Sequence, residues 1–394
     1  MVPGLRESFN RQFTAERYQE FLAALDAAVG TRIQFRVAET PVFVPRELIG
    51  EMQSASLELI RQLDTPAYRS ASARAVPPEF AVPHEDDHPV FIVVDFAVTR
   101  NTSGRLVPRL IEMQGFPSLF GFQVTMPKVF RSVYDLPGLG YLLSGLDETA
   151  YIGLVRRAVC GSYEPENVVL MDIQPASQKT LPDFLCTEKM TGVKAVCITE
   201  IIRRGKKLFY CRDGRETPIH RIYNRAIIDE LVRTGVTASF DFRDEHEVEW
   251  AGHPNWYFRW SKFSLPYLKH ETVPRAWFLD ELETYPQNLG DYVLKPLFSF
   301  AGAGVSVDVT REQLDAVPPA QRHGYLLQEK VSYGPVIRTP DDPSKVEIRM
   351  MYIWLDRPVA VTTLARLSKG KMMGVDFNKN KEWVGSSCCL FEEG

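Results

Sequence analysis

Carboxylate and amide side chains interrupt an apolar stretch in the first third of this 394-residue chain. Asp95 lies in the middle of residues 91–98, which are almost continuously apolar and β-branched and therefore typical of a buried strand. An ionised carboxylate in such a strand is costly unless a cation or several hydrogen-bond donors accompany it. The sequence therefore places a charge where that charge needs a partner.

The residues that follow predict a β-hairpin. Residues 101–104, Asn-Thr-Ser-Gly, are turn residues, and residues 106–114 are typical of a returning strand at a sheet edge. With a two-residue loop, the register places Asp95 opposite Leu110. Glu112 then becomes a diagonal neighbour of Asp95 on the same face, within about 8 Å at Cβ.

The face that carries Asp95 and Glu112 also carries Gln114, two residues further along the strand. Carboxylate and amide oxygens are ligands that Mg²⁺ accepts in proteins, and Mg²⁺ keeps further positions open for phosphates. The alternative is a hairpin whose polar side faces solvent. These residues alone do not decide between a magnesium site and a solvated sheet face.

A second group of residues is of the types that bind phosphate. Lys262 stands alone in an aromatic-rich segment, Lys295 ends an apolar strand, and residues 299–304 form a small-residue loop that includes Gly302 and Gly304. Backbone N–H groups in such a loop can approach phosphate oxygens, while a lysine supplies a point charge. The alternatives are a lysine that extends to water and a plain hairpin turn. No Gly-Lys-Ser/Thr follows the glycines, so this is not a Walker A loop.

Three later segments add polar residues to predicted strands. One strand ends in Gln328 and Glu329, another carries Glu347 and Arg349 in one row, and Arg366 follows a third apolar run. Alternation with period two places Glu347 and Arg349 on the same face. A cross-strand ion pair is the simpler interpretation of that row.

The elements that must position these residues form an α/β pattern. Residues 1–87 show apolar positions at helical spacing and predict a helical lead-in. Residues 160–250 alternate strand, helix and strand, which predicts a small Rossmann-like domain with parallel pairing. No Gly-x-Gly-x-x-Gly follows its first strand, so dinucleotide binding is not supported.

Composition excludes several classes of function. The chain has 46 basic and 50 acidic residues and a net charge of −4, which argues against a nucleic-acid surface or a polybasic membrane surface. No apolar run approaches the roughly 18 residues of a membrane span, and the N-terminus lacks the pattern of a secretion signal. The six cysteines include no Cys-x-x-Cys, so no zinc knuckle is indicated. We expect a cytoplasmic protein with no nucleic-acid or membrane partner.

The order of these motifs resembles a known family. A lysine after a strand, a glycine loop, a strand ending in Gln-Glu and two later arginines are similar to the nucleotide-clasping half of the ATP-grasp enzymes. In that family the acidic segment, Asp then Glu-x-Asn, normally comes last. Here the matching residues, Asp95 and Glu112-Met113-Gln114, come first. The order therefore resembles the circularly permuted ATP-grasp enzymes represented by glutathionylspermidine synthetase, over most of residues 88–380.

The resemblance implies a role for each matching residue. The residues that would ligate Mg²⁺ are Asp95, Glu112 and Gln114. Lys262 and Lys295 would contact the phosphates of ATP, and Gly302 and Gly304 would lie in the loop over them. The residues that would border the adenine are Gln328, Glu329 and Val331, and Asn378 would contact phosphate or metal. The residues that would face the γ-phosphate and an acyl phosphate are Arg349 and Arg366. Two positions depart from the family pattern, since Val93 replaces a basic residue and Gln114 replaces an asparagine.

The resemblance also implies an activity and a domain arrangement. We expect an ATP- and Mg²⁺-dependent ligase that joins a small-molecule carboxylate to an amine, such as an amino acid, peptide or polyamine. The alternatives are a phosphotransferase on the same fold and a non-catalytic nucleotide-binding protein. The expected parts are a helical lead-in (1–87), a metal-binding part of the ATP-grasp module (88–159), a Rossmann-like substrate domain (160–252) and a nucleotide-clasping part (253–394).

Overall fold

Helices and short strands are interspersed along the whole chain, which confirms the α/β prediction at the level of fold class. The computed structural model describes residues 1–298 and 304–393. The α-helices are α1 (Pro3–Gln12), α2 (Ala15–Val29), α3 (Arg46–Leu63), α4 (Pro66–Ala71), α5 (Thr125–Val133), α6 (Glu148–Cys160), α7 (Leu181–Thr191), α8 (Ile228–Thr234), α9 (Asn255–Arg259) and α10 (Arg311–Asp315). None of these described helices combines the length and apolar character that crossing a bilayer requires.

The strands of the described residues form five sheets. In chain order they are β1 (Val42–Phe43), β2 (Phe91–Arg100), β3 (Leu106–Gln114), β4 (Leu139–Gly140), β5 (Val168–Asp172), β6 (Lys194–Cys197), β7 (Ile202–Arg204), β8 (Lys207–Arg212), β9 (Arg215–Ile219), β10 (Arg221–Asn224), β11 (Glu249–Ala251), β12 (Ala276–Phe278), β13 (Tyr292–Pro296), β14 (Tyr325–Glu329), β15 (Lys345–Trp354), β16 (Pro358–Ser368), β17 (Gly385–Ser387) and β18 (Cys389–Glu392). The largest sheet has five strands in the order β17-β16-β15-β2-β3, and every neighbouring pair in it is antiparallel.

One face of this five-stranded sheet is mainly apolar in its central strands β2 and β15. Val94 and Phe96 of β2 and Met350 of β15 are fully buried there. They belong to the same core as Met52 and Leu59 of α3, whose apolar positions recur at helical spacing. The helix α3 thus covers this face and shields its apolar side chains from water.

The opposite face of the same sheet changes character along its length. At one end Phe91 packs against Phe120, with ring centroids 5.0 Å apart. Further along the same face β2 presents Asp95, and the adjacent strand β15 changes in parallel from Met351 to Arg349. Asp95 and Arg349 therefore lie together on the charged half of this sheet face.

The β2–β3 hairpin forms as predicted, but its predicted register is wrong. The loop is one residue longer than predicted, since the Asn101 side chain accepts hydrogen bonds from two backbone N–H groups and a glycine with φ of 81° closes the turn. A β-bulge at Ile111 then shifts the pairing again, so that Asp95 lies opposite Glu112 and not opposite Leu110. The two carboxylates are direct cross-strand neighbours and not diagonal ones.

A separate four-stranded sheet contains the predicted parallel unit. Its order is β11-β10-β5-β6, and all three pairs are parallel. The predicted strand–helix–strand order of this segment is confirmed. A short 3₁₀ helix at Pro175–Ser177 precedes the helix α7 of this unit.

A small antiparallel sheet, in the order β12-β14-β13, lies beside the edge strand β3. The Leu110 N–H of β3 donates to the carbonyl of Thr272, which lies in the segment before β12, at 2.8 Å. Leu279, Leu294 and Leu327 are part of its own apolar core. The small sheet places Lys295 of β13 next to the charged half of the large sheet.

Gly121 provides a test of how tightly the chain after β3 packs against α7. A Cβ at this position would lie 2.6 Å from Thr187 Oγ1 and 2.8 Å from the Asp183 carbonyl oxygen. Since a backbone atom cannot move away cheaply, Gly121→Ala is expected to lower the free energy of unfolding by about 3 kcal/mol. Gly153→Ala in α6 is the matched control, because no heavy atom lies within 4 Å of the added Cβ. Alanine favours a helix, so the control should gain up to about 1 kcal/mol in urea unfolding. Equal midpoints for the two variants would contradict this packing.

Candidate active site

Asp95 is held by two arginines. Its Oδ1 accepts from Arg349 Nε at 2.6 Å, and its Oδ2 accepts from Arg349 Nη2 at 2.6 Å and from Arg366 Nη2 at 3.0 Å. Only 1% of the residue is exposed, so the solvated-face interpretation is wrong for Asp95. Burial pushes the pKa of Asp95 upward, but the two arginines outweigh it and hold this pKa below its usual value. The carboxylate is therefore ionised at neutral pH.

Arg366 is shared between two carboxylates. Besides Asp95, its Nη2 donates to Glu347 Oε1 at 2.5 Å, and the Tyr333 hydroxyl donates to Glu347 Oε2 at 2.8 Å. Glu347 and Arg366 are direct cross-strand partners on β15 and β16. The predicted cross-strand ion pair is thus present, with Arg366 as the partner of Glu347. Burial raises the pKa of Glu347. The positive charge of Arg366 opposes this rise, and the negative charge of Asp95 adds to it.

Glu112 and Gln114 lie at the edge of this cluster. The Gln114 amide nitrogen donates to Glu112 Oε1 at 2.7 Å, and both side chains are half-buried. Because Glu112 is directly opposite Asp95, it shares the face that carries the arginines. The hairpin prediction correctly placed these three residues together, although by a different register.

Lys295 faces the cluster from the small sheet. Its Nζ lies 3.4 Å from the carbonyl oxygen of Ile111, the bulged residue of β3. Burial lowers the pKa of Lys295 to about 8. The negative charge of Glu112 opposes this fall, and the positive charge of Lys262 adds to it. Lys262 is itself 8% exposed, so it is buried and does not extend into water. The two predicted phosphate lysines therefore lie near each other and near Glu112.

The residues predicted to border the adenine lie on or beside β14. Gln328 is 1% exposed, and its amide nitrogen has no hydrogen-bond partner within the described parts of the chain. Glu329 accepts from the Arg275 side chain at 2.7 Å and from its backbone N–H at 3.0 Å. Val331 is half-buried just after the strand. A buried donor without a partner costs free energy, so Gln328 is the residue of this group with a hydrogen-bond donor left for a ligand.

The remaining residues predicted to contact the nucleotide are Gly302, Gly304 and Asn378, of which the structure describes the last two. Gly304 has φ of 73°, a left-handed conformation that favours glycine. Gly302 lies outside the described residues. Asn378 uses its Oδ1 to accept from the Ser368 hydroxyl and from the backbone N–H groups of Lys369 and Gly370. Its amide is therefore engaged in holding the loop after β16.

Two residues at the site were not found from the sequence. Ser118 accepts from Arg349 Nη1 at 2.8 Å, and Tyr333 donates to Glu347. Neither belongs to a periodic pattern, and both lie outside the strands that they contact. The position of Val93 explains why a basic residue is absent there, since Val93 is fully buried among apolar side chains. The guanidinium groups that reach Asp95 come from Arg349 on the neighbouring strand β15 and from Arg366 on β16.

The residues present partly fit the magnesium ion that the resemblance implies. Within residues 1–298 and 304–393, no group of three or more His, Cys, Asp or Glu side chains is arranged to hold a metal ion. Glu112 and Gln114 have the right chemistry, because a carboxylate and an amide carbonyl are both magnesium ligands. Gln114 uses its nitrogen to bond Glu112, so that bond leaves its carbonyl oxygen unused. Asp95 differs, because both of its oxygens already accept from arginines. The metal assignments of all three residues remain predictions.

Similarity to known proteins is found at the level of structure and not of sequence. No family model matches the sequence, and no curated protein matches it. Among solved structures, the fold is similar to that of a glutathione synthetase-like effector from Globodera pallida in its apo form, with a TM-score of 0.55 and 12% sequence identity. The alignment covers 96% of this chain and 97% of that chain. At this identity the likeness shows a shared fold over the full length of the chain.

Proposed function

We propose that this protein is an ATP- and Mg²⁺-dependent ligase that joins a carboxylate to an amine through an acyl phosphate. The proposed framework is a circularly permuted ATP-grasp fold. Support comes from the similar fold of a protein described as glutathione synthetase-like. The observation that carries the proposal is that cations from two sheets lie around the same carboxylates. Buried Lys295 comes from the small sheet, and buried Arg349 and half-buried Arg366 come from the large one.

The permuted arrangement rests on which strands are neighbours. The acidic hairpin β2–β3 comes before the segment that supplies the lysines and arginines, yet β2 pairs directly with β15. Asp95 and Arg349 are 254 residues apart in sequence and bonded in space. In this proposal, the metal-binding and nucleotide-clasping parts of one module are thus joined in reverse order along the chain.

The cluster has the chemistry that phosphoryl transfer needs. When a carboxylate attacks the γ-phosphate, negative charge develops on the transferring oxygens, and preorganised cations stabilise it without reorganising. Arg349 and Arg366 would face this charge, while Lys262 and Lys295 would bind the phosphates. Glu112 and Gln114 would hold the magnesium ion, which neutralises phosphate charge when bound.

The second half of the reaction requires protection from water. An amine displaces phosphate from the acyl phosphate, and water would compete for the same carbonyl carbon. Gly304, at the end of the glycine loop, belongs to the segment that would cover the phosphates. The unpartnered amide of buried Gln328 would donate to the nucleotide, with Glu329 and Val331 beside it. Asn378 would act by shaping the adjoining loop.

The substrates are proposed by chemical class. The carboxylate and the amine would be an amino acid, a peptide or a polyamine in the cytoplasm, and the parallel sheet β11-β10-β5-β6 would supply specificity. Ligands of open parallel sheets bind outside the carboxyl ends of the strands. In this chain the carboxyl ends of β5 and β10 carry Asp172 and Asn224.

The test is ATP turnover against a panel of carboxylates and amines. ADP and phosphate release that requires one carboxylate and one amine, each omitted in turn as a control, is the expected result. A stable phosphorylated product with no amine requirement would instead favour a phosphotransferase. ATP binding that does not depend on Mg²⁺, without turnover across the panel, would favour a non-catalytic nucleotide-binding protein.

The low pKa of Lys295 predicts how ATP affinity changes with pH. Below pH 8 the protonated ammonium attracts phosphate, and above its pKa of about 8 that charge is lost in the free protein. Calorimetric titration should therefore show ATP affinity falling by up to about tenfold per pH unit above pH 8, as proton linkage requires. Lys295→Arg keeps its charge over this range and is the matched control, with a flat profile expected. Identical profiles for the two proteins would contradict the assignment of Lys295.

A further inference from the structure

The carboxylate of Asp95 accepts three hydrogen bonds from protein donors, and both of its oxygens are engaged. Its Oδ2 accepts one hydrogen bond from each arginine, and its Oδ1 accepts from Arg349 Nε. All three bonds are charge-assisted, and the two from Arg349 form a parallel pair. With 1% of Asp95 exposed and both of its oxygens bonded to arginines, a metal ion would have to displace a guanidinium to reach it.

We propose that Asp95 is a positioning residue that fixes Arg349 and Arg366 side by side, and that it does not ligate the metal. This inference rests on the proposed function, because it assigns the two arginines to the reacting phosphate. Asp95 itself touches neither substrate nor metal. It acts through the orientation of the two guanidinium groups.

Arg349 is fixed on two sides. Asp95 takes its Nε and Nη2, and the Ser118 hydroxyl takes its Nη1 at 2.8 Å. A planar guanidinium bound in this way loses its freedom to rotate before any ligand arrives, which is the preorganisation that charge stabilisation requires. Without Asp95, the Ser118 hydroxyl would be the one remaining partner that the structure shows for Arg349.

Arg366 is fixed differently, because a second carboxylate also binds it. Asp95 and Glu347 both accept from its Nη2, so Arg366 keeps one acceptor when Asp95 is changed. The effect of Asp95 should therefore pass mainly through Arg349. This asymmetry makes the role of Asp95 separable from that of a metal ligand.

The distinguishing measurement is the Mg²⁺ dependence of turnover. Asp95→Asn keeps the shape of the side chain and should lower kcat by about a hundredfold, while the Mg²⁺ concentration for half-maximal rate stays close to that of the unaltered protein. Glu112→Gln is the contrasting variant, since loss of a metal ligand should raise that concentration by about tenfold or more. A comparable rise in Asp95→Asn would overturn the inference.

A double-mutant cycle tests whether Asp95 acts through Arg349. If it does, Asp95→Asn and Arg349→Met together should lower kcat hardly more than either change alone. Losses that multiply would mean independent roles and would overturn the inference. Arg349→Lys is the milder variant, because it keeps the charge and loses only the paired hydrogen bonds. It should reproduce the fall in kcat with an unchanged Mg²⁺ requirement, and full activity of Arg349→Lys would also overturn the inference.

Calorimetric titration with Mg²⁺ and ADP gives a reading that does not depend on turnover. Asp95→Asn should bind the Mg²⁺–ADP complex with the affinity of the unaltered protein, while Glu112→Gln should bind it more weakly. Loss of the Mg²⁺-dependent part of binding in Asp95→Asn would overturn this inference alone. No binding by the unaltered protein would overturn the proposed function and this inference with it.

Discussion

Replacing Lys295 by glutamine is expected to lower ATP-dependent turnover by about a hundredfold or more, as removal of other preorganised charge-stabilising groups does. Lys295 is 8% exposed and lies where Glu112 and Lys262 both influence its charge. A buried ammonium interacts strongly with phosphate because little water screens it. Glutamine keeps most of the length of the side chain but carries no charge.

The measurement for Lys295→Gln is ADP release at saturating carboxylate and amine, together with ATP affinity from calorimetry. Lys206→Gln is the matched control. Lys206 lies in the turn between β7 and β8, is exposed, and pairs with Glu245 at 2.6 Å. This control should turn over ATP at the rate of the unaltered protein. Equal rates for the two variants would contradict a phosphate-binding role for Lys295.

Arg349→Met is expected to lower the free energy of unfolding by about 3 kcal/mol, because it leaves a buried carboxylate short of its main partner. Asp95 would keep only its longer bond to Arg366, at 3.0 Å. The pKa of Asp95 lies below its usual value in the folded protein, so the pair stabilises the fold at neutral pH. That stabilisation is lost as the pH falls through this lowered pKa.

Urea unfolding at pH 7 measures this effect. Glu216→Gln is the contrasting control, because Glu216 accepts two hydrogen bonds of 2.7 Å from Arg204 and both residues are exposed. Exposed ion pairs of this kind contribute less than about 1 kcal/mol. Adding Asp95→Asn to Arg349→Met should restore part of the lost stability, since the uncompensated charge is then removed. A loss for Arg349→Met no greater than that of the control would show that the buried pair is not stabilising.

Sequence patterns were sufficient to predict individual elements where side-chain period and turn residues agree. The apolar run around Asp95 predicts a strand, and the structure extends it to Phe91–Arg100. The segment around Val168–Asp172 predicts a parallel unit, and four parallel strands are present. These predictions succeed because strand period and strand–helix alternation are local properties.

The hairpin shows where local prediction ends. A two-residue loop is the simplest interpretation of Asn-Thr-Ser-Gly, yet the Asn101 side chain holds a loop one residue longer. The bulge at Ile111 has no marker in the sequence. That bulge brings Glu112 opposite Asp95 and leaves its own carbonyl near Lys295. The prediction of a shared face was correct, whereas the predicted pairing was not.

The sequence by itself determined which residue types the protein can use: a carboxylate in an apolar strand, one lysine at a strand end and another in an aromatic-rich segment, and arginines on later strands. Only the tertiary structure decided which of these charges meet. Asp95 pairs with Arg349 because β15 lies beside β2, across 254 residues of chain. The order of strands in a sheet depends on which apolar faces pack against each other. The alternation of apolar and polar residues within one strand does not indicate which strand pairs with it. For the same reason the sequence indicated a cation for Asp95 to hold, whereas the fold surrounds that carboxylate with two arginines.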